Sequence, residues 1–380
     1  MTTHTLTATI TFEDEQAPNT GRFEQAEDTA VRELASYLEA LSTGHRVGTL
    51  VVSTDGGDAV AAQGAVSVSG ASHGTAATGS YALSGVGGTA ASNTVTLGGG
   101  AGDVTIVVDG TSVGPVAFNT SDAQTATDVI TALEANGTFA AKATASSGGS
   151  GVITITWDTK GTVGNSKTIT ASRTAGTATV GGNGTTLGGG AQGAVTVVIN
   201  GTSVGPVDTT NLSDTAAATA VAAAIEANGT LGPLLAAVGS TTNVNLTWGT
   251  QGTVGNAVTL AAGVSATGTA TRSGATLSGG ADTSVTVTIN GVGLTVNTTT
   301  TTTDDDVAAA ITSAINGSAN ALIDGVVEAV TAGSDSEINA VEAGTSGNTI
   351  TLSVSGTGLT ASGARLTGGT DDTTAYTFER

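Results

Sequence analysis

The sequence predicts a β-rich α+β protein: a short β-α-β head followed by three tandem, sandwich-like β-β-α-β-β repeats of about 90 residues each. Three observations carry this expectation. The composition favours strands over helices, a Leu-x-Gly-Gly signature returns at a fixed interval, and within each interval the same element signals follow in the same order.

Of 380 residues 57 are Gly, aromatics make up 3% and charged residues 11%, and the 38% apolar fraction is mostly Ala and Val. Side chains of that size build thin cores with many β-branched contacts, so small β domains are expected rather than one large core. The signature "LGGGA" starts at Leu97 and Leu187, "LSGGA" at Leu277 and "LTGGT" at Leu366, with spacings of 90, 90 and 89. The chain is therefore expected to divide into a β-α-β head over 1–70, a Gly/Ala/Ser-rich connecting arm over 71–96, repeats over 97–186, 187–276 and 277–370, and a tail over 371–380.

In the head, "HTLTATITF" reads as a strand. Glu24 to Leu41 reads as a helix with Ala30, Val31, Leu34, Leu38 and Leu41 on one face, "RVGTLVVST" as a second strand, and "AVAAQGAVSVSG" as a further extended stretch. Each repeat then opens on an alternating strand and a turn: "VTIVVDGTSVGPV", "VTVVINGTSVGPV" and "VTVTINGVGLTV". Asp-Gly and Asn-Gly between apolar runs predict two-residue hairpins, because both residues tolerate positive φ.

A helix is expected next, from Ser121, Ser213 and Thr303, where Ser or Thr followed by Asp supplies an N-cap and a negative first turn. Its apolar stripe is Val129, Ile130 and Leu133 in the first repeat, Val221, Ala222 and Ile225 in the second, and Val307, Ile311 and Ile315 in the third. Two strands close the unit, "VITITW" and "SKTITAS" in the first repeat and "VNLTW" and "AVTLAA" in the second, with "GTVGN" between them. The third repeat keeps Gly344, Thr345, Gly347 and Asn348 but has Ala340 where the others have Trp157 and Trp248.

The recurring turn, with Gly161, Gly164 and Asn165, then Gly252, Gly255 and Asn256, then Gly344, Gly347 and Asn348, admits two readings. A glycine-rich loop beside a tryptophan can cradle phosphate or stack a sugar. It can equally be a positive-φ turn joining two strands, with Trp157 and Trp248 in the core below the helix. The second reading is favoured: a phosphate loop calls for a lysine and a helix starting at the turn, whereas here a strand follows and Lys160 gives way to Gln251.

No catalytic, cofactor-binding or metal-ligating residue is expected. His4, His45 and His73 are the only histidines and none has a triad context. Asp304 to Asp306 begin a helix, where acids suit the dipole, and the spacing of a calcium-binding loop is missing. Asn-Gly-Thr at Asn136, Asn200 and Asn228 reads as turn chemistry rather than glycosylation. A net charge of −21 disfavours nucleic acid and anionic membranes, and the absence of Cys excludes disulfides. The opening "MTTHTLTATITFEDEQ" has no basic start ahead of an apolar block, which predicts a chain made and kept in the cytoplasm.

The segments "WDTKGTVGNSKTIT", "WGTQGTVGNAVTL" and "EAGTSGNTITLSV" resemble the KGTxGN segment of Mu-type contractile tail sheath proteins, three times over residues 97 to 370. The head is similar to the start of small phage capsid-decorating proteins. Sheath proteins carry one such module within a larger chain, whereas three stand in tandem here, so the resemblance implies a tailed-phage virion component rather than a sheath. It implies a non-enzymatic capsid decoration or cement protein without cofactors, assembled in the host cytoplasm and homo-oligomeric on a symmetric particle. Its partners would be the major capsid protein or neighbouring copies. The alternatives are a tail sheath, tube or fibre component, and an extracellular adhesin or surface-layer protein.

Overall fold

The computed structural model describes residues 59–265 and 268–371. The strands and helix expected between residues 4 and 54, and the tail from 372 on, lie outside the described residues. The remainder is β-rich α+β: small antiparallel sheets and four helices. It falls into two compact units. One comprises His73–Thr283 with Asn297–Thr301; of the described residues, the other takes in 59–72, Ser284–Val296 and 302–371.

The first strands along the chain are β1 (Ala61–Val68), β2 (Ala76–Ser84) and β3 (Ala90–Gly98). They are followed by the hairpin β4 (Val104–Val108) and β5 (Thr111–Val116), the helix α1 (Asp122–Ala135) and the single turn α2 (Gly137–Ala140). Then come β6 (Ala143–Gly149), β7 (Val152–Lys160), β8 (Ile169–Arg173) and β9 (Thr177–Val180). The hairpin turn is of the expected kind: Asp109 and Gly110 both have positive φ, at 45° and 77°. Ser121 caps α1 by accepting from the Gln124 amide. Val129 and Leu133 are buried while Ile130 is half-buried.

These strands form two sheets, β6-β7-β3-β9 and β5-β4-β8. One hydrophobic cluster gathers Val95, Ile106, Val129, Leu133, Ile155 and Trp157 from both sheets and the helix. The same unit holds a second set: β10 (Ala194–Ile199), β11 (Thr202–Asp208), α3 (Asp214–Glu226), β12 (Leu235–Ser240), β13 (Asn243–Gln251), β14 (Leu260–Val264) and β15 (Thr269–Arg272). Its sheets are β12-β13-β2-β15 and β11-β10-β14.

The other unit holds the third set: β16 (Ser284–Ile289), β17 (Val292–Asn297), α4 (Asp304–Asn316), β18 (Val327–Ala332), β19 (Asp335–Ala343), β20 (Leu352–Ser355) and β21 (Leu359–Ala361). Its sheets are β18-β19-β1-β21 and β17-β16-β20.

Two differences from the sequence reading follow. Each set runs β-β-α-β-β-β-β rather than β-β-α-β-β, since β6, β12 and β18 and the short β9, β15 and β21 were not anticipated. More consequentially, every four-stranded sheet takes an inner strand from residues 61–98, and in reverse order: β3 joins the first set, β2 the second and β1 the third.

The boundaries expected at 70/71 and 96/97 therefore part strands from their sheets, and 71–96, expected as a connecting arm, holds β2 and most of β3. The strands earn these places by alternation: Ala62, Val66 and Val68, Ala77, Tyr81 and Leu83, and Ala91, Val95 and Leu97 are each at most 4% exposed. Leu97 lies within β3, one residue before its end, so its counterparts are Leu83 and Val68, not Leu187, Leu277 and Leu366. Those three leucines are buried just before the chain leaves each set.

The edges of the four-stranded sheets are held by the helices. A side chain thirteen residues past each N-cap accepts from an edge amide: Glu134 from Ala145 at 2.5 Å, Glu226 from Ala237, and Asn316 from Ala329 at 2.8 Å. Satisfying edge amides in this way removes a template for strand addition.

Candidate functional site

The repeated turn is a 3-10 turn at the end of β7, β13 and β19, spanning Thr162–Ser166, Thr253–Ala257 and Thr345–Thr349. The glycine ahead of each, Gly161, Gly252 and Gly344, has φ of 94°, 96° and 120°, a region that favours glycine. The second glycine lies on the core. A Cβ on Gly164 would stand 2.7 Å from the Ala91 Cβ and 3.0 Å from that of Trp157; Gly255 faces Ala77 and Trp248 in the same way, and Gly347 faces Ala62 and Ala340. The turn thus rests on the strand supplied from residues 61–98.

The asparagine closes the arrangement. Asn165 Nδ2 donates to the Gly190 carbonyl at 2.9 Å and its Oδ1 accepts from the Gly190 amide at 2.8 Å. Asn256 grips Gly280 at 2.8 and 2.9 Å, and Asn348 grips Gly369 at 2.9 and 3.0 Å. An amide side chain carries one donor and one acceptor at the spacing of a peptide unit, so asparagine suits this two-sided grip. Gly190, Gly280 and Gly369 belong to the Leu-x-Gly-Gly signature, and a Cβ on each would strike the carbonyl of Gly161, Gly252 or Gly344. Three sequence motifs therefore meet at one point in every set.

Trp157 and Trp248 are 7% and 9% exposed and hold equivalent places, opposite Ala143 and Leu235; Ala340 stands opposite Val327. Neither ring lies open for a sugar to stack upon. The first set adds a local charge cluster. Lys167 Nζ sits 4.9 Å from the Trp157 ring centre and 3.2 Å from Asp109 Oδ2, with Lys142 Nζ 4.0 Å from the same oxygen. All three lysines of the chain, Lys142, Lys160 and Lys167, fall in this set, a bias the sequence reading passed over.

Several other acids hold backbone amides. Asp282 accepts from the Thr253 hydroxyl at 2.7 Å and its amide at 2.9 Å, which hold its carboxyl below the usual carboxylate range. Asp371 does the same at Thr345, where the amide is the larger cause and the hydroxyl the second. Asp304 takes the Gly70 and Ala71 amides, and Asp306 completes a capping box with Thr303. Asp214 likewise takes the amides of Gly85 and Val86. The first helical acid thereby fixes the turn that ends β1 and β2.

Burial, rather than charge, acts on two other groups. It pushes the Tyr81 phenol well up, and its hydroxyl crosses the core to the Val198 carbonyl at 3.0 Å. Asp158 is raised by desolvation first and by the Glu134 charge second.

Among the described residues no group of His, Asp or Glu could hold a metal ion. His73 Nδ1 lies 3.0 Å from the Thr301 hydroxyl. His4 and His45 lie outside the described residues. A groove over β1 and β19 is lined by Gln63, Glu337, Asn339 and Arg365, and its one serine, Ser362, accepts from the Ala65 amide. No helix among the described residues is long and apolar enough to cross a membrane.

No family model and no curated protein matches the chain. Among solved structures, the chain is similar to the flagellar cap protein FliD from Helicobacter pylori, at 11% identity, over 79% of this chain and 81% of that one, with a TM-score of 0.14. At that score the overlap carries no argument about fold or function.

Proposed function

We propose that the chain is a non-enzymatic structural component of a bacteriophage particle, a capsid decoration or cement protein that exposes three copies of one β-rich module. The observation that carries this reading is the shared fate of the repeated residues. Gly161, Gly164 and Asn165 and their counterparts in the other two sets are used to lock a strand, a turn and an exit segment together. Repetition of architecture in this way suits display and coverage rather than turnover.

The charge of −21 fits a subunit that stays apart from its copies until a template gathers it. In this reading the chain is assembled in the host cytoplasm, carries no cofactor, and forms a homo-oligomer on a symmetric particle with the major capsid protein or neighbouring copies as partners. Immunogold electron microscopy with an antibody to this chain tests it. Gold over particle heads is the expected result. Gold along the tail would transfer the protein to a sheath, tube or fibre, and gold on intact cells would make it an adhesin or surface-layer protein.

A further inference from the structure

The three turns end differently. At the first, the connector leading to α3 closes over Gly161: the Thr210 Cγ2 methyl lies 3.1 Å from where a Gly161 Cβ would stand, and the Lys160 amide donates to Asn211 Oδ1 at 2.7 Å. At the second, Thr299 does the same, its methyl 2.6 Å from the Gly252 position. Thr210 and Thr299 are equivalent. Each amide donates to an Asx side chain two residues back, Asp208 or Asn297, at 2.8 Å, and each hydroxyl binds the backbone of Gly193 or Thr283.

At the third turn, only Asp371 among the described residues comes within 4 Å of the Gly344 position. The incoming chain differs as well. Gly88-Thr89 and Gly74-Thr75 become Ala59-Val60, and Val60 is 49% exposed. A Cβ at Gly74 would strike the Thr299 carbonyl of the connector and one at Gly88 the Ala191 carbonyl of the exit segment, so glycine at these two places leaves room for a neighbouring backbone that Ala59 does not meet in the same way. Both ends of the described chain leave from this point: Val60 and Thr370 exchange backbone hydrogen bonds of 2.9 and 3.0 Å, and Val60 accepts from the Gly344 amide at 3.0 Å.

We propose that this end of the third set is the docking site of the chain's own residues 1–58. Those residues are tethered beside the face, so their effective concentration there is high. A segment of that length buries too little surface to be comfortable alone, and its sequence offers an apolar stripe of Ala30, Val31, Leu34, Leu38 and Leu41. A second copy of the chain is a poorer fit. Its free connector, ahead of α1, reads Ala117-Phe118-Asn119 in place of the Asx-Thr-Thr triplet, and Phe118 is covered by the Arg173 guanidinium, 5.4 Å from the ring centre.

The test uses the purified full-length chain with p-benzoylphenylalanine in place of exposed Ala343, beside the turn, and, as a reference, in place of Val330, which is 53% exposed on β18. On irradiation, position 343 is expected to form adducts with peptides from residues 1–58 within a single chain, at roughly tenfold or more the level seen from position 330, as tethering at a matched span predicts. Adducts confined to a dimer-sized species, or no excess over position 330, would overturn the proposal. Neither outcome depends on where the protein sits in a particle.

Discussion

A residue repeated three times at the same geometry is a device whose strength can be measured once and expected thrice. Asn256 supplies both a donor and an acceptor to Gly280 in a part-buried setting. Asn256→Ala leaves an N–H and a carbonyl without partners, and a loss of about 1–3 kcal/mol is expected from the urea midpoint at constant slope. Asp282 gives a pH signature in the same turn. Because its folded carboxyl titrates below the ordinary aspartate value of about 3.9, the stability it contributes is fully present above that value and is lost as pH falls through the folded value. The midpoint difference between the native chain and Asp282→Ala is therefore expected at about pH 6 and should shrink as pH falls through the folded carboxyl's lowered value. A difference that persists in acid would mean that Asp282 acts by packing alone. The first set offers a built-in contrast, since Gln192 occupies the corresponding position and cannot titrate.

At the scale of elements, local signals were legible and distant pairing was not. The hairpins announced themselves because positive φ at Asp109, Asn200 and Asn290 needs a short polar residue followed by glycine. The helices did so because Ser121, Ser213 and Thr303 are N-caps with acids behind them. The turn asparagines were singled out as turn chemistry, yet their hold on Leu-x-Gly-Gly was not foreseen, since a side-chain grip across 21 to 25 residues leaves no periodic trace. The strands β6, β12 and β18 escaped because small Ala residues lie inward while Val238 and Val330 lie outward, which leaves little contrast between their faces.

The strands drawn from residues 61–98 did leave a signal. "AAQGAVSVSG", "AATGSYALSG" and "AASNTVTLGG" are three versions of one pattern, spaced 15 and 14 residues apart. The longer period hid the shorter one. What no single sequence states is that such strands pair in reverse order. Partner choice there depends on fit, as where Tyr81, in place of Val66 or Val95, reaches the backbone of β10.

For the molecule as a whole, the reverse pairing makes the sets nested along the chain. The first set runs unbroken from β3 to Gly190, the second begins at β2 and resumes at β10, and the third begins at β1 and resumes at β16. Sequence period and structural unit are therefore different pieces of chain, and excision separates them. Thr89 and Ala191 face each other with backbone hydrogen bonds of 2.9 and 3.2 Å, the closing pair that a two-residue turn can bridge. Replacing residues 90–190 by Asn-Gly removes the first set entire and leaves the clusters around Trp248 and Ile311 with all their strands. Removing residues 97–186 instead, the period read from the signature, deletes β4 to β9 but leaves most of β3 behind, with Ala91 and Val95 stripped of cover. Exposed apolar strand of that kind pairs with whatever it meets. The first deletion is expected to give a monomer with a cooperative unfolding transition and a buried tryptophan emission, the second an aggregate, as read by size exclusion and fluorescence. If the 97–186 deletion folds and the 90–190 deletion does not, the strands from residues 61–98 are not bound to their sets in the order described.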